Sequence, residues 1–171
     1  AVGHGAGTAI TTGTNNTLIG GVCGDALTTG VQNVAVGLSA LGAMTAGDKN
    51  VAIGNSALSV ANVTDGSETF NVAVGYAAGG AVTTGIQNTL IGGLTADALT
   101  DADFNVAIGY AALTSDTLGS QSTAIGYNAL TFQNFTTATN SNNTAVGFDA
   151  GQRVTTGIQN TLIGGLAGDA L

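Results

Sequence analysis

The six letters "NTLIGG" occupy residues 16–21, 88–93 and 160–165, so the chain returns to one hexapeptide every 72 residues. A fixed period constrains architecture before local propensity does, because each repeat is a unit that buries its apolar face only against its neighbours. Inside the long period lies a shorter unit: Asn, Val or Thr, Ala or Leu, Val or Ile, then Gly. It starts at Asn16, Asn33, Asn50, Asn71, Asn88, Asn105, Ser122, Asn143 and Asn160, and the opening "AVG" is the tail of one more, which makes ten copies. Successive starts lie 17, 17, 21, 17, 17, 17, 21 and 17 residues apart, so three units of 17 and one of 21 sum to 72.

Seventeen residues are too few for a helical pair, and the Gly and β-branched content opposes helices throughout. A short apolar run closed by Gly, then a second segment with its own Gly, fits short strands joined by turns. The expected fold is therefore all-β: a β-solenoid, roll or helix, of about ten coils, with 17-residue coils and a 21-residue coil every fourth. Residues 1–171 read as one continuous solenoid segment, a window of a longer fibrous polypeptide, because "AVGHGAG" looks like the middle of a repeat.

Stacking would set identical side chains in ladders along the axis, about 4.8 Å apart. Asn16, Asn33, Asn50, Asn71, Asn88, Asn105, Asn143 and Asn160 are expected to stack amide on amide. Gly20, Gly37, Gly54, Gly75, Gly92, Gly109, Gly126, Gly147 and Gly164 recur at one place in the coil, as a positive-φ turn or a tight backbone approach requires. The Val or Ile before each, such as Val36, Ile53 and Ile91, is never polar and is the expected core residue, facing Leu41, Leu58, Leu113 and Leu130 on the other wall. The residue before that Val or Ile then points outward. It is usually Ala, but becomes Leu at Leu18, Leu90 and Leu162, and these knobs are expected to lock neighbouring chains together. The insertions near residues 63 and 135 should bulge on one face.

Composition excludes several classes. With 44% apolar residues the chain should fold, and its two basic residues, Lys49 and Arg153, cannot neutralise a phosphate backbone, so no nucleic-acid partner is expected. No apolar run approaches the ~18 residues that cross a bilayer, so no membrane insertion is expected. One cysteine permits no internal disulfide.

Little in the sequence resembles a reactive site. His4 aligns with Tyr76 and Phe148 at an aromatic packing or surface slot, and Cys23 aligns with Thr95 and Ala167 at a small-residue slot. "GGVCGDAL", "GGLTADAL" and "GGLAGDAL" come near the Ca²⁺-binding nonapeptide of β-rolls. Their Asp25, Asp97 and Asp169 recur only every fourth coil, roughly 19 Å apart. Calcium needs six to eight oxygens in a compact cage, so these Asp residues are expected to cap turns through backbone N–H groups instead. The threonines of the recurring "TTG" form a broken row, unsuited to an ice lattice. No metal, cofactor or catalytic constellation is expected, and the chain is not expected to be an enzyme.

"NTAVGF" from Asn143, "NVAIGYAAL" from Asn105 and "STAIGYNAL" from Ser122, linked by "TTG", resemble bacteriophage tail-fibre repeats and the head repeats of trimeric autotransporter adhesins. The resemblance covers essentially the whole chain. It implies an extracellular or virion fibre, commonly trimeric, whose partners are other copies of itself. The expected function is a structural fibre segment that gives length and surface display. The competing expectation is a module that binds a surface glycan or receptor through the inserted loops and their aromatics Phe70, Phe132 and Phe135.

Overall fold

The computed structural model describes residues 1–169, and these contain strands and turns but no helix. In chain order the strands are β1 (Thr17–Ile19), β2 (Val34–Val36), β3 (Val51–Ile53), β4 (Val72–Val74), β5 (Thr89–Ile91), β6 (Val106–Ile108), β7 (Gly119–Ser120), β8 (Thr123–Ile125), β9 (Thr139–Asn140), β10 (Thr144–Val146) and β11 (Thr161–Ile163). Nine of them form one parallel sheet in the order β1-β2-β3-β4-β5-β6-β8-β10-β11. A bridge between Val2 and Ile19 adds the first, partial coil. Strands β7 and β9 pair separately beside the second insertion.

This is a β-solenoid with one strand of the main sheet per coil. The register is constant: Leu18, Ala35, Ala52, Ala73, Leu90, Ala107, Ala124, Ala145 and Leu162 lie opposite one another along the whole stack. It holds across both 21-residue steps because the extra residues loop out before the next ladder Asn. The turns continue the stack through coil-to-coil backbone bonds, as from Leu41 N–H to Ala57 O at 3.0 Å and from Leu58 N–H to Ala78 O at 3.1 Å. Making corners while keeping such bonds requires left-handed backbone at alternate residues, including Ser39 and Leu41 (φ 56° and 53°) and Asn128 and Leu130 (φ 53° and 52°). These conformations are strained for non-Gly residues and persist because the stack over-determines them.

The strand faces are the reverse of the expectation from sequence. The central residue of each strand points inward, and Leu18, Ala35, Ala52, Ala73, Leu90, Ala107, Ala124 and Ala145 are buried. The Val and Ile positions expected in the core lie on the outer face instead, with Ile53 and Ile91 each 38% exposed and Val36 half-buried. Leu18 and Leu90 are interior residues, and Leu162 packs against the core from the last described strand, so none of the three is an outward knob. The reason is width. The interior of so short a coil admits Ala beside the opposite wall, where Leu41, Leu58, Leu113 and Leu130 are fully buried, and a β-branched residue does not fit there.

This narrowness also explains the 72-residue period. Where the strand carries Leu, the turn position of the same coil that is Leu41 or Leu58 elsewhere shrinks, to Gly24 in the coil of Leu18 and to Ala96 in the coil of Leu90. A Cβ placed on Gly24 would stand 2.9 Å from Leu18 Cδ2. In the coil before, a Cβ on Gly79 would stand 2.6 Å from Leu90 Cδ1 and 3.1 Å from Leu58 Cδ2, and one on Gly151 would meet Leu162 and Leu130 in the same way. Leucine enters the core from the strand or from the turn, and glycine or alanine makes room for it.

Candidate functional surface

The asparagine row forms a continuous internal ladder up to one coil. The Oδ1 of each Asn accepts the backbone N–H of the next ladder residue, as from Asn33 to Asn16 at 2.9 Å, Asn50 to Asn33 at 2.9 Å, Asn88 to Asn71 at 3.0 Å and Asn105 to Asn88 at 3.0 Å. The Nδ2 donates to a carbonyl of the adjoining turn, as from Asn33 to Gly47 O and from Asn71 to Gly85 O. Amide-to-amide bonds, which sequence alone suggested for every step, join Asn50 to Asn33, Asn88 to Asn71 and Asn160 to Asn143. The ladder is therefore chiefly amide to backbone.

The break at Ser122 is repaired from the interior. Gln133 Nε2 donates to Ser122 Oγ at 2.8 Å and to Asp116 Oδ2 at 2.6 Å, while its Oε1 accepts Asn143 Nδ2 at 2.8 Å. Asp116 Oδ1 accepts the N–H groups of Gly119 and Phe135, both at 3.0 Å. Ser122 and Ser141 share a further hydroxyl contact. Asp116 and Gln133 occupy the slot that Leu27, Met44, Val82 and Leu99 fill elsewhere. The signal in the sequence was this coincidence, two polar residues at an apolar slot flanking the one missing Asn.

The glycine row combines both reasons given for it. Gly109 has φ 136°, and a Cβ there would lie 2.3 Å from Gly126 O in the next coil; Gly37, at φ 131°, would meet Gly54 O at 2.5 Å.

The acidic residues form no cage. Among the described residues, no three of His, Cys, Asp and Glu come together. Asp97 accepts the Thr114 hydroxyl rather than capping a backbone turn. Cys23 is buried, with its Sγ 3.4 Å from Gly20 O, and desolvation pushes its thiol pKa up. His4 is exposed, as are Tyr76 and Phe148 in the same row. The hydroxyls of Thr11, Thr28 and Thr100 donate to carbonyls of the following coil, which engages them within the stack.

Two outer features remain. At the first insertion, Asn62, Val63, Thr64, Asp65, Ser67, Glu68, Thr84 and Ile86 line a recess of about 310 Å³. Lys49 pairs with Glu68 and lies over the Phe70 ring, 5.1 Å from its centroid. The Ser67 hydroxyl, with its N–H, holds the Asp65 carboxyl below the ordinary range. At the second insertion Phe132 is exposed, but Phe135 is buried, its N–H tied to Asp116, so it is not a surface aromatic of the loop.

The second feature is the outer face of the sheet, which carries two rows, with a third exposed row beside it in the turn that follows each strand. One holds Thr17, Val34, Val51, Val72, Thr89, Val106, Thr123, Thr144 and Thr161, and another runs from Ile19 through Val36 and Ile53 to Ile163. The third follows the glycine ladder and contains Leu38, Tyr76, Tyr110, Tyr127 and Phe148, all more than 45% exposed. Tyr110 stacks on Tyr127 with centroids 5.7 Å apart, and Tyr127 on Phe148 at 5.3 Å. Comparison with protein-family models, with curated proteins and with solved structures finds no match to this chain.

Proposed function

We propose that the chain is a length-giving segment of an extracellular structural fibre. The observation that carries this reading is the unbroken register of the nine-stranded sheet, which passes through both 21-residue coils without a slip. Each coil is bonded to the one before and the one after, so length and stability grow coil by coil. The likeness of the repeat motifs to tail-fibre and adhesin repeats supports the extracellular setting.

Inserting a second copy of residues 16–87 after Gln87 tests it. The enlarged chain should lengthen by roughly 19 Å at constant cross-section in small-angle scattering, and it should melt no lower than the parent. A wider or globular particle of unchanged length would overturn the reading.

A second reading, binding of a glycan or receptor through the insertions, is favoured by the recess beside Asp65 and by the exposed Phe70 and Phe132. Alanine at Phe70 and Phe132 should abolish glycan-array or cell-surface binding with the circular dichroism spectrum unchanged. Retained binding in that variant would remove the loops from consideration.

A further inference from the structure

We infer that the outer face of the nine-stranded sheet is the surface on which a second copy of this chain docks, side by side along the solenoid axis. The inference rests on the fibre reading and adds its partner. The face is built from Val, Ile and Thr flanking each inward Ala or Leu, together with the aromatic row beyond the glycines. A strand pair lying over a core on one side and showing Val and Ile on the other is apolar on both faces, as strands covered on both sides are.

Charge points the same way. The chain has ten acidic residues and a formal net charge of -8, yet none of the three outer rows contains Asp, Glu, Lys or Arg. Copies of so acidic a chain repel one another wherever their carboxylates meet. The sheet face is where that repulsion is weakest and the apolar gain largest.

Size is adequate. Eight steps of about 4.8 Å give a face about 38 Å long, and the four residue steps from the first outward row to the third span about 13 Å, or about 500 Å² per copy. Two such faces bury about 1,000 Å² together, the lower end for a specific interface.

The third row shows why the occupant is another copy. Its bulky members Tyr76, Tyr110, Tyr127 and Phe148 are interrupted by Gly21, Gly93 and Gly165, one notch per 72 residues. A second copy presents knobs and notches at the same axial period, so the two faces can mesh along their full length. A sugar would need an open ring face, but in the stack of Tyr110, Tyr127 and Phe148 the rings cover one another and offer mainly edges.

Sedimentation equilibrium on the chain tests the inference, alongside the variant carrying I91K, I108K and I125K. The parent should associate with a Kd at or below the micromolar range, whereas the variant should remain a monomer with an unchanged circular dichroism spectrum. Should the variant misfold, single cysteines decide: in a C23A background, I108C should cross-link between chains at least about tenfold faster than T136C, which lies in the exposed second insertion. A parent that stays monomeric up to about 1 mM, a folded triple variant that associates like the parent, or equal cross-linking at the two cysteines would overturn the inference. None of these outcomes alters the lengthening expected of the added 72-residue copy, so failure here and failure of the fibre reading are distinguishable.

Discussion

At the scale of the residue, the ladder glycines set the closest approach between coils. Replacing Gly109 with Ala drives a Cβ onto Gly126 O and forces an L-residue to φ 136°. We expect a loss of at least ~1–3 kcal/mol in urea denaturation. The same change at Gly66, where φ is 78° and nothing lies within 4 Å, meets backbone strain alone and should cost less. Leu90→Ala should cost ~2–5 kcal/mol as a buried truncation, and adding Ala96→Leu should recover part of it by refilling the same layer from the turn. Asp65, fully exposed, titrates below the ordinary carboxylate range because Ser67 donates to its charged form. The sign follows: the loop contact is fully formed above the usual Asp pKa and is lost as pH falls through the depressed value. Ser67→Ala should therefore raise the Asp65 midpoint seen by NMR. The glycine and asparagine rows were legible in the sequence because identity itself repeats there. The strand facing was not, since Val-Ala-Val and Thr-Leu-Ile offer apolar residues to both sides. What selects the inward one is the width of the finished coil, a property no three-residue window contains.

At the scale of the element, the stack reads as a set of parallel three-residue strands whose turns carry much of the backbone bonding. The 17-residue period and the placement of the insertions were legible, whereas the left-handed Leu41, Leu58, Leu113 and Leu130 were not, because local propensity argues against αL for Leu. The repair around Ser122 shows how one coil departs from the pattern without breaking it. Gln133 holds three partners, two of them on the ladder, and Gln133→Leu would leave buried polar groups of Asp116, Ser122 and Asn143 with fewer partners. Each unsatisfied group costs ~1–3 kcal/mol, so chemical denaturation should show a loss of at least that size. Its apolar counterpart Leu27→Met, a volume-conserving exchange at the same slot, should cost less than ~1.5 kcal/mol.

At the scale of the whole molecule, the architecture is one-dimensional, and deletions should follow the period. Removing residues 16–87 joins Asn15 to Asn88 and preserves every remaining core layer, so the shortened chain should give a cooperative melt and a β-type spectrum. Removing about half a coil places a strand against a turn and should abolish both. The solenoid and its superperiod could be read from spacing alone; the facing of the strands could not, and the sequence expectation of an inter-chain contact at Leu18, Leu90 and Leu162 fails because the structure puts them inside. The alternation of interior leucine and glycine has a consequence for errors in assembly. A stack of near-identical coils could skip one during folding and still form every backbone bond. Loss of the coil that holds Gly79, however, brings Leu58 and Leu90 into one space, while a skip of four whole coils leaves no trace. The long period thus works as a parity check written in side-chain volume, under which that miscount meets a steric penalty in the stack.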